Sequence, residues 1–268
     1  MVSGDLTSEG SPSEFPVAHT FLRAFWRLRR DIPMKSTGVD LSDDRLGIVP
    51  GNHDHWNGQH LGPVPIPQSY NKSIFPKHFR PTPWKKVWKD MKGQIELEIY
   101  GLDSNSGLAG NINIRAMGSF SNYEVQQLEA WLNESDQQPA NPGVHRVRAI
   151  VTHHSPSYTG AGPLGLMLDA NSRQKLYDIA LKYGIACVLT GHVHDSAYVK
   201  IDIGQGKFLW EFRSATTLQG TPKPGVQGFL GHRIWLKSDQ PWWSMCRYSW
   251  GSHAFFRKEK AFCVEFQT

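Results

Sequence analysis

The sequence predicts an α/β fold that passes into an antiparallel β region. Apolar runs typical of buried strands alternate with amphipathic helical stretches up to about residue 190. Over 193–268 the chain instead has short runs of alternating polarity with turn signals between them, which predict mainly antiparallel strands. Histidines gather directly after three of the predicted buried strands. At 268 residues we expect a single domain that spans residues 1–268.

Three stretches have helical periodicity. Residues 13–30 repeat apolar side chains every three or four positions and end in basic residues that suit the helix dipole. Residues 121–135 begin with a Ser N-cap that is followed three positions later by Glu. Residues 171–184 form another amphipathic stretch, closed by Gly184, the residue type that most often ends a helix. We therefore predict three helices.

Apolar or alternating runs predict four strands in the α/β part of the chain, at 46–50, 94–104, 145–154 and 185–192. Residues 56–92 are rich in Pro, Lys and aromatic residues, which predicts an irregular insertion with a short helix. The insertion has two interpretations. The first is a lid over the substrate that stacks on a base and pairs with phosphate. The second is a solvent-exposed insertion with a few of its aromatic side chains packed in the core. The lid candidates are Trp84, Lys85, Lys86 and Trp88.

Composition limits the cellular location and the kinds of partner that the sequence predicts. No apolar run approaches the length that spans a bilayer and no leader is visible, so we expect a cytoplasmic protein with no membrane partner. The three cysteines are widely spaced, which argues against a disulfide framework and fits a reducing compartment. The net charge of +5 helps to attract anionic substrates but is too small to indicate nucleic-acid binding by itself.

Six of the twelve histidines lie in three clusters that each follow an apolar strand. The carboxyl ends of strands in α/β folds open onto the ligand crevice, so distant clusters can converge on one site. With Asn52 and Asp5 they offer imidazole, amide and carboxylate ligands without a thiolate, which suits Mn, Fe, Zn or a mixed pair. The clustered residues are His53 and His55, His153 and His154, and His192 and His194.

Four motifs occur in order: SGDL at 3–6, GNHD at 51–54, THHSP at 152–156 and GHVH at 191–194. With SATTLQG at 214–220 and the YSW…AFF ending they make the chain resemble the calcineurin-like metallophosphoesterases, in particular cyclic-phosphodiesterase-like members. The resemblance implies a four-layer αββα sandwich of two mixed sheets flanked by helices. It also implies two divalent metal ions (Mn, Fe or Zn) and hydrolysis of a phosphoester by a metal-activated hydroxide.

The resemblance also assigns roles to individual residues. It implies that Asp5 bridges the metals, that Asn52 and His192 hold the second metal, and that His194 reaches the first. The remaining ligand of the second metal is His153, favoured by its place at the strand end, or His154, favoured by its spacing to Pro156. His53 is implied as the general acid, oriented by Asp54. Two further residues are candidate substrate contacts, His55 and Tyr158.

One block of the family is missing. Its members carry Asp-x-His on the first strand, and none of the fourteen Asp residues here is followed two positions later by His. We therefore expect an N-terminally truncated sandwich with a weakened first metal site, and we favour a truncated reading frame as the cause.

The function that these observations favour is a metal-dependent phosphoester hydrolase, first a phosphodiesterase and second a phosphomonoesterase. Its expected partner is a small-molecule phosphoester. Two alternatives remain: a catalytically impaired fragment or scaffold of the same fold, and a nuclease, with nucleic acid a possible but not favoured partner.

Overall fold

The computed structural model describes residues 1–7, 10–23, 46–55, 77, 79–107, 117–138, 140–158, 167–215, 228–250 and 256–265. Its helices are α1 (Glu14–Arg23), α2 (Asn122–Gln137) and α3 (Ala170–Tyr183), with a short 3₁₀ turn at His53–His55. Its strands are β1 (Trp84–Lys89), β2 (Ile95–Gly101), β3 (His145–Val151), β4 (Ile185–Thr190), β5 (Ala197–Gly204), β6 (Lys207–Arg213), β7 (Gly228–Lys237), β8 (Gln240–Trp250) and β9 (Phe256–Glu265). No helix in these ranges is long and apolar enough to cross a membrane.

The strands form two sheets. The large sheet has the order β1-β2-β3-β4-β6-β5. Its four central strands run parallel, whereas β1 and β5 are antiparallel edges. The small sheet has the order β7-β8-β9 and is antiparallel. Because β2, β3, β4 and β6 run in the same direction, the loops that follow them emerge at one edge of the large sheet.

Apolar packing stacks these elements in layers. One face of the large sheet packs on the small sheet, where the Phe212 and Trp243 rings stack with centroids 5.8 Å apart. The other face packs on α2 and α3, whose Leu132 and Leu176 are buried there. Helix α1 buries Phe15 against the segment that contains Leu46 and Ile48. The predicted α/β class, with two packed sheets and helices outside, is confirmed.

Most predicted elements are present, with small shifts of their ends. Ser121 caps α2 by accepting the Glu124 N–H at 3.2 Å, and Gly184 ends α3 with φ 65°. Helix α1 is described to Arg23, and the rest of the predicted 13–30 helix lies outside the described residues. The predicted 46–50 strand is buried but pairs only through an isolated parallel bridge between Val2 and Ile48.

One expectation about the large sheet is wrong. The segment that contains the four lid candidates is strand β1, paired along its length with β2, and it is neither irregular nor helical. Trp84 is 1% exposed and donates its indole N–H to the Ile48 carbonyl at 2.6 Å, so it is a core residue. In the small sheet, β7, β8 and β9 pair as sequential antiparallel neighbours. Residues 56–76 and 78 of the predicted insertion lie outside the described residues.

Leu132→Ala tests the core between α2 and the large sheet. Leu132 is 0% exposed, so truncation is expected to lower the free energy of unfolding by about 2–5 kcal/mol in urea titrations. The matched control is Val17→Ala on α1, where the side chain is 70% exposed and the expected change is within about 0.5 kcal/mol. Equal losses in the two variants would contradict the assignment of the core.

Candidate metal centre

The predicted ligands meet at the edge of the large sheet where the parallel strands end. His153 and His154 follow β3, and His192 follows β4. Asp5 and Asn52 reach the same edge from the two segments that are joined by the bridge between Val2 and Ile48. Chain segments nearly two hundred residues apart therefore share one site.

The His153 ring lies at the centre of this arrangement. Its Nδ1 lies 2.6 Å from the carbonyl oxygen of Ser3, and since a carbonyl only accepts, Nδ1 carries the hydrogen. The other ring nitrogen, Nε2, lies 3.0 Å from Asn52 Oδ1, 3.0 Å from His192 Nδ1 and 3.3 Å from Asp5 Oδ2. One imidazole nitrogen thus faces an amide oxygen, a carboxylate oxygen and a second imidazole nitrogen.

These atoms have the spacing that a transition metal requires. Neighbouring ligand atoms that bind one ion at about 2.1 Å lie about 3.0–3.4 Å apart in tetrahedral or octahedral geometry. The distances from His153 Nε2 to its three neighbours fall in this range. Metal-bound histidines also commonly donate their second ring N–H to a carbonyl, as His153 does to Ser3. The residues therefore fit a divalent cation.

The backbone at the centre is strained. Asp5, His192 and His194 have φ values of 53°, 68° and 54°, in the left-handed region that costs a non-glycine residue about 1–2 kcal/mol. The other described non-glycine residues with positive φ lie in the hairpin turns after β5 and β7: Gln205, Ser238 and Asp239. Strain of this kind outside a hairpin is typical of functional sites.

Two glycines let the site segments approach each other. A Cβ on Gly4 would overlap His153 Nδ1, and a Cβ on Gly51 would overlap Asp5 Oδ1 and the Asp5 amide. Gly4 also has φ 99°, which disfavours any side chain. The glycines of the SGDL and GNHD motifs are thus required by close contacts at the centre.

The centre favours a positive charge. Burial alone would raise the pKa of Asp5, but the charge and hydrogen bond of His153 hold that pKa well below its ordinary value. Burial is the largest single influence on the pKa of His153 and lowers it, but the charge and hydrogen bond of Asp5, together with the Ser3 carbonyl and the charge of Asp54, hold this pKa above its ordinary value. A proton on His153 Nε2 occupies the position that a bound cation would take.

His154 lies beside His153 and takes a different partner. Its Nδ1 is 2.8 Å from Ser104 Oγ, and its backbone N–H donates to the same hydroxyl at 3.2 Å. Its ring centroid lies 4.5 Å from that of His192, and the candidate ligand atoms of His153, His154 and His192 all fall within 4.8 Å of one another. His154 is thus close to the centre but anchored to the loop after β2.

The GNHD residues connect two segments of the site. The backbone N–H of His53 donates to Asp5 Oδ1 at 3.1 Å, which places His53 beside the carboxylate. Asp54 accepts from the backbone N–H groups of Leu6, Thr7 and Gly51 and from the Thr7 hydroxyl. The Asp54 carboxylate therefore clamps the Asp5 segment to the GNHD turn, and its hydrogen bonds do not run to the His53 ring.

The remaining predicted residues lie around the centre. His194 is the most exposed of the predicted ligands, and partial burial of its ring, partly offset by the charge of Asp5, lowers its pKa. His55 is buried, with Nε2 3.3 Å from Asp103 Oδ2. Tyr158 covers the Arg213 guanidinium, 5.4 Å from the ring centroid.

Several contributing residues were missed from the sequence. Asp103 and Ser104 directly follow β2, and their place at a strand end was a usable signal. Ser3 acts through its backbone carbonyl, for which a sequence carries no side-chain signal. Glu211, buried inside β6, contacts Ser157 in the loop after β3 and Thr190 at the end of β4, and it also had no local signal.

The family described as calcineurin-like phosphoesterase matches residues 1–196, and the chain belongs to this family. Membership of this family implies divalent metal ions, and among the described residues His153, His154 and His192 form a group that could hold a metal ion.

Other comparisons add little. No curated protein matches the chain. Haemophilus influenzae NAD nucleotidase is similar with 10% identity and a TM-score of 0.29, over 68% of this chain. The chain spans 30% of the length of that nucleotidase. A Streptococcus pneumoniae protein described as a predicted phosphoesterase is similar with 13% identity and a TM-score of 0.24, over 62% of this chain and 96% of its own. Neither likeness carries an argument about substrate.

Glu124→Gln tests the buried Glu124 carboxylate, which accepts the backbone N–H of Asp103. Burial, followed by the charge of Asp103, raises the pKa of Glu124 well above its ordinary value. The folded protein therefore holds the proton more tightly, so the contribution of Glu124 to stability is present below about pH 4.5 and is lost as pH rises through the folded pKa. Gln resembles the protonated form, can still accept the Asp103 N–H, and avoids this loss.

The expected result is a Tm gain at pH 8 that shrinks towards zero at pH 4, measured by thermal unfolding of both proteins. An equal Tm difference at the two pH values would show that ionisation of Glu124 is not the cause.

Proposed function

We propose that Asn52 Oδ1, His153 Nε2 and His192 Nδ1 would hold one divalent cation, and that Asp5 would contribute its carboxylate to this site and, with His194, to a second. The observation that carries this proposal is the convergence of three ligand atoms on His153 Nε2. Mn, Fe and Zn all accept this mixture of imidazole, amide and carboxylate.

The proposal takes His153 rather than His154 as the ligand from THHSP. The Nδ1–H of His153 is used by the Ser3 carbonyl, which leaves the Nε2 lone pair directed at Asn52 and Asp5. His154 bonds to Ser104 and lies behind the His153 and His192 rings, where it packs against them. Its part is to support the cluster.

The proposed reaction is hydrolysis of a phosphoester. When bound, divalent cations stabilise the charge that develops on the phosphoryl group and lower the pKa of a water molecule. The protein residues position these groups and move a proton. His53, fixed through its backbone to Asp5, is the proposed general acid for the leaving oxygen, and Asp54 holds the turn that carries it.

The proposed substrate is a small-molecule phosphodiester. Support comes from the motifs shared with cyclic-phosphodiesterase-like members, although most of 214–220 and 251–255 lies outside the described residues. A diester carries one negative charge and needs less neutralisation than a doubly charged monoester. The atoms around His153 Nε2 form the most complete set of candidate metal ligands among the described residues. A cation held there would suit the single negative charge of a diester. His55 and Tyr158 border the centre, and we propose that they line the substrate side.

His192→Ala tests the metal site. Removal of this imidazole takes away one of the ligands around the proposed cation, so the variant is expected to lose nearly all Mn²⁺ from this site, measured by elemental analysis after dialysis. The matched control is His145→Ala, at the opposite end of β3, where the ring bonds to Asp239. Equal Mn²⁺ loss in both variants would refute the assignment of His192 as a metal ligand and of His145 as a residue outside the site.

Substrate class is tested with paired nitrophenyl esters. With Mn²⁺ added, kcat/KM for bis(p-nitrophenyl) phosphate is expected to exceed that for p-nitrophenyl phosphate by roughly tenfold or more, since charge neutralisation limits the monoester. EDTA should abolish both rates. A preference for the monoester would replace the diester proposal, and metal-loaded protein that cleaves neither ester would support a scaffold instead.

A further inference from the structure

We propose that Glu211 is a positioning residue that sets the distance between the two loops that carry His153 and His192. This inference rests on the proposed function, because the role assigned to Glu211 is to preorganise the cation ligands. Glu211 lies on β6, outside all four motifs, and none of the roles given above involves it.

The Glu211 carboxylate is fully buried and bonds to both sides. It is 0% exposed, and its Oε1 accepts the Thr190 hydroxyl at 2.6 Å while its Oε2 accepts the Ser157 hydroxyl. Arg213 supplies the opposite charge, with its Nη2 3.3 Å from Glu211 Oε2 and 3.0 Å from Ser157 Oγ. We refer to Glu211, Arg213, Thr190 and Ser157 as the Glu211 network.

The Glu211 network contacts the chain close to both histidines. Thr190 is two residues before His192, and Ser157 is four residues after His153. Between these points the loops are joined directly, because the Gly191 N–H donates to the His153 carbonyl at 3.1 Å. One carboxylate therefore links the chain just before His192 to the chain just after His153, and the facing ring nitrogens of these histidines lie 3.0 Å apart.

The chemistry of the Glu211 network indicates that it fixes the positions of nearby residues more than it stabilises the fold. A buried ion pair loses hydration that its attraction only partly replaces, so its net contribution to folding is often small. What it does provide is fixed geometry, since both carboxylate oxygens and the guanidinium fork have defined partners. Residues that orient metal ligands typically change metal affinity by about 10–100-fold when removed.

The chain contains a matched network that does not meet the site. Glu98 accepts the Ser135 hydroxyl at 2.8 Å and the Arg148 Nε–H at 3.0 Å, so it repeats the carboxylate, hydroxyl and guanidinium set. Arg148 also donates to the Tyr183 carbonyl at the end of α3, and Ser135 lies near the end of α2. This Glu98 network joins the sheet to the helices near the amino ends of the strands.

The test compares Ser157→Ala and Thr190→Val with Ser135→Ala in the full chain. Each change removes one hydroxyl bonded to a buried carboxylate and leaves the ion pair beside it in place. The measurements are Mn²⁺ affinity by calorimetry, the visible absorption of the Co²⁺-loaded protein, and the Tm of the metal-free protein. Glu211→Gln is a fourth variant that removes the negative charge of the network itself. If this variant does not fold, the test rests on Ser157→Ala, Thr190→Val and Ser135→Ala.

The expected result is that Ser157→Ala and Thr190→Val each weaken Mn²⁺ binding by about tenfold or more and change the Co²⁺ spectrum. Ser135→Ala should lower Tm to a similar extent but keep Mn²⁺ affinity within about twofold and leave the spectrum unchanged.

If Ser157→Ala and Thr190→Val lose Tm but bind Mn²⁺ as the original protein does, Glu211 is only structural and the inference is overturned while the proposed metal site stands. If the original protein binds neither Mn²⁺ nor Co²⁺, the proposed function fails and this inference fails with it.

Discussion

The hydrogen bond from His153 Nδ1 to the Ser3 carbonyl determines the chemistry of the whole centre. It joins residues 150 positions apart and fixes which ring nitrogen carries the hydrogen. The other ring nitrogen, Nε2, then presents its electron pair to Asn52, Asp5 and His192. If the ring turned over, the centre would lose its central ligand although every residue of the motifs was still present.

The large sheet makes this contact possible. Its parallel strands bring the loops after β3 and β4 side by side, and the helices and the small sheet bury both of its faces. That buried core provides the free energy that holds Asp5, His192 and His194 in left-handed backbone. Asp54 and Glu211 then act as two clamps, one on the Asp5 segment and one on the histidine loops. Rigid packing and directed polar contacts thus have separate parts in building the site.

Local patterns predicted most of this arrangement. Helix ends at Ser121 and Gly184 follow from cap chemistry within a few residues. Strands β3 and β4, which precede two of the three histidine clusters, follow from apolar runs. Strand β1 was missed because lysines stand between its aromatic residues and hide the alternation. One of them, Lys86, is only 9% exposed in the folded protein. Burial of a lysine is a property of the tertiary structure, which the local sequence does not encode.

The sequence could not decide between His153 and His154. Both follow the same strand, and the difference between them is whether a ring meets the Ser3 carbonyl or the Ser104 hydroxyl. Those partners come from the first residues of the chain and from the loop after β2, so spacing within THHSP holds no information about them. For the same reason Glu211 could not be recognised, since its partners lie on other strands.

Anomalous diffraction from crystals grown with Mn²⁺ tests the central claim most directly. The account predicts a Mn²⁺ peak about 2.1–2.3 Å from Asn52 Oδ1, His153 Nε2 and His192 Nδ1, with the Ser3 carbonyl still bonded to His153 Nδ1. A peak bound through His154 with His153 turned away, or strong Mn²⁺ sites only elsewhere on the protein, would contradict it.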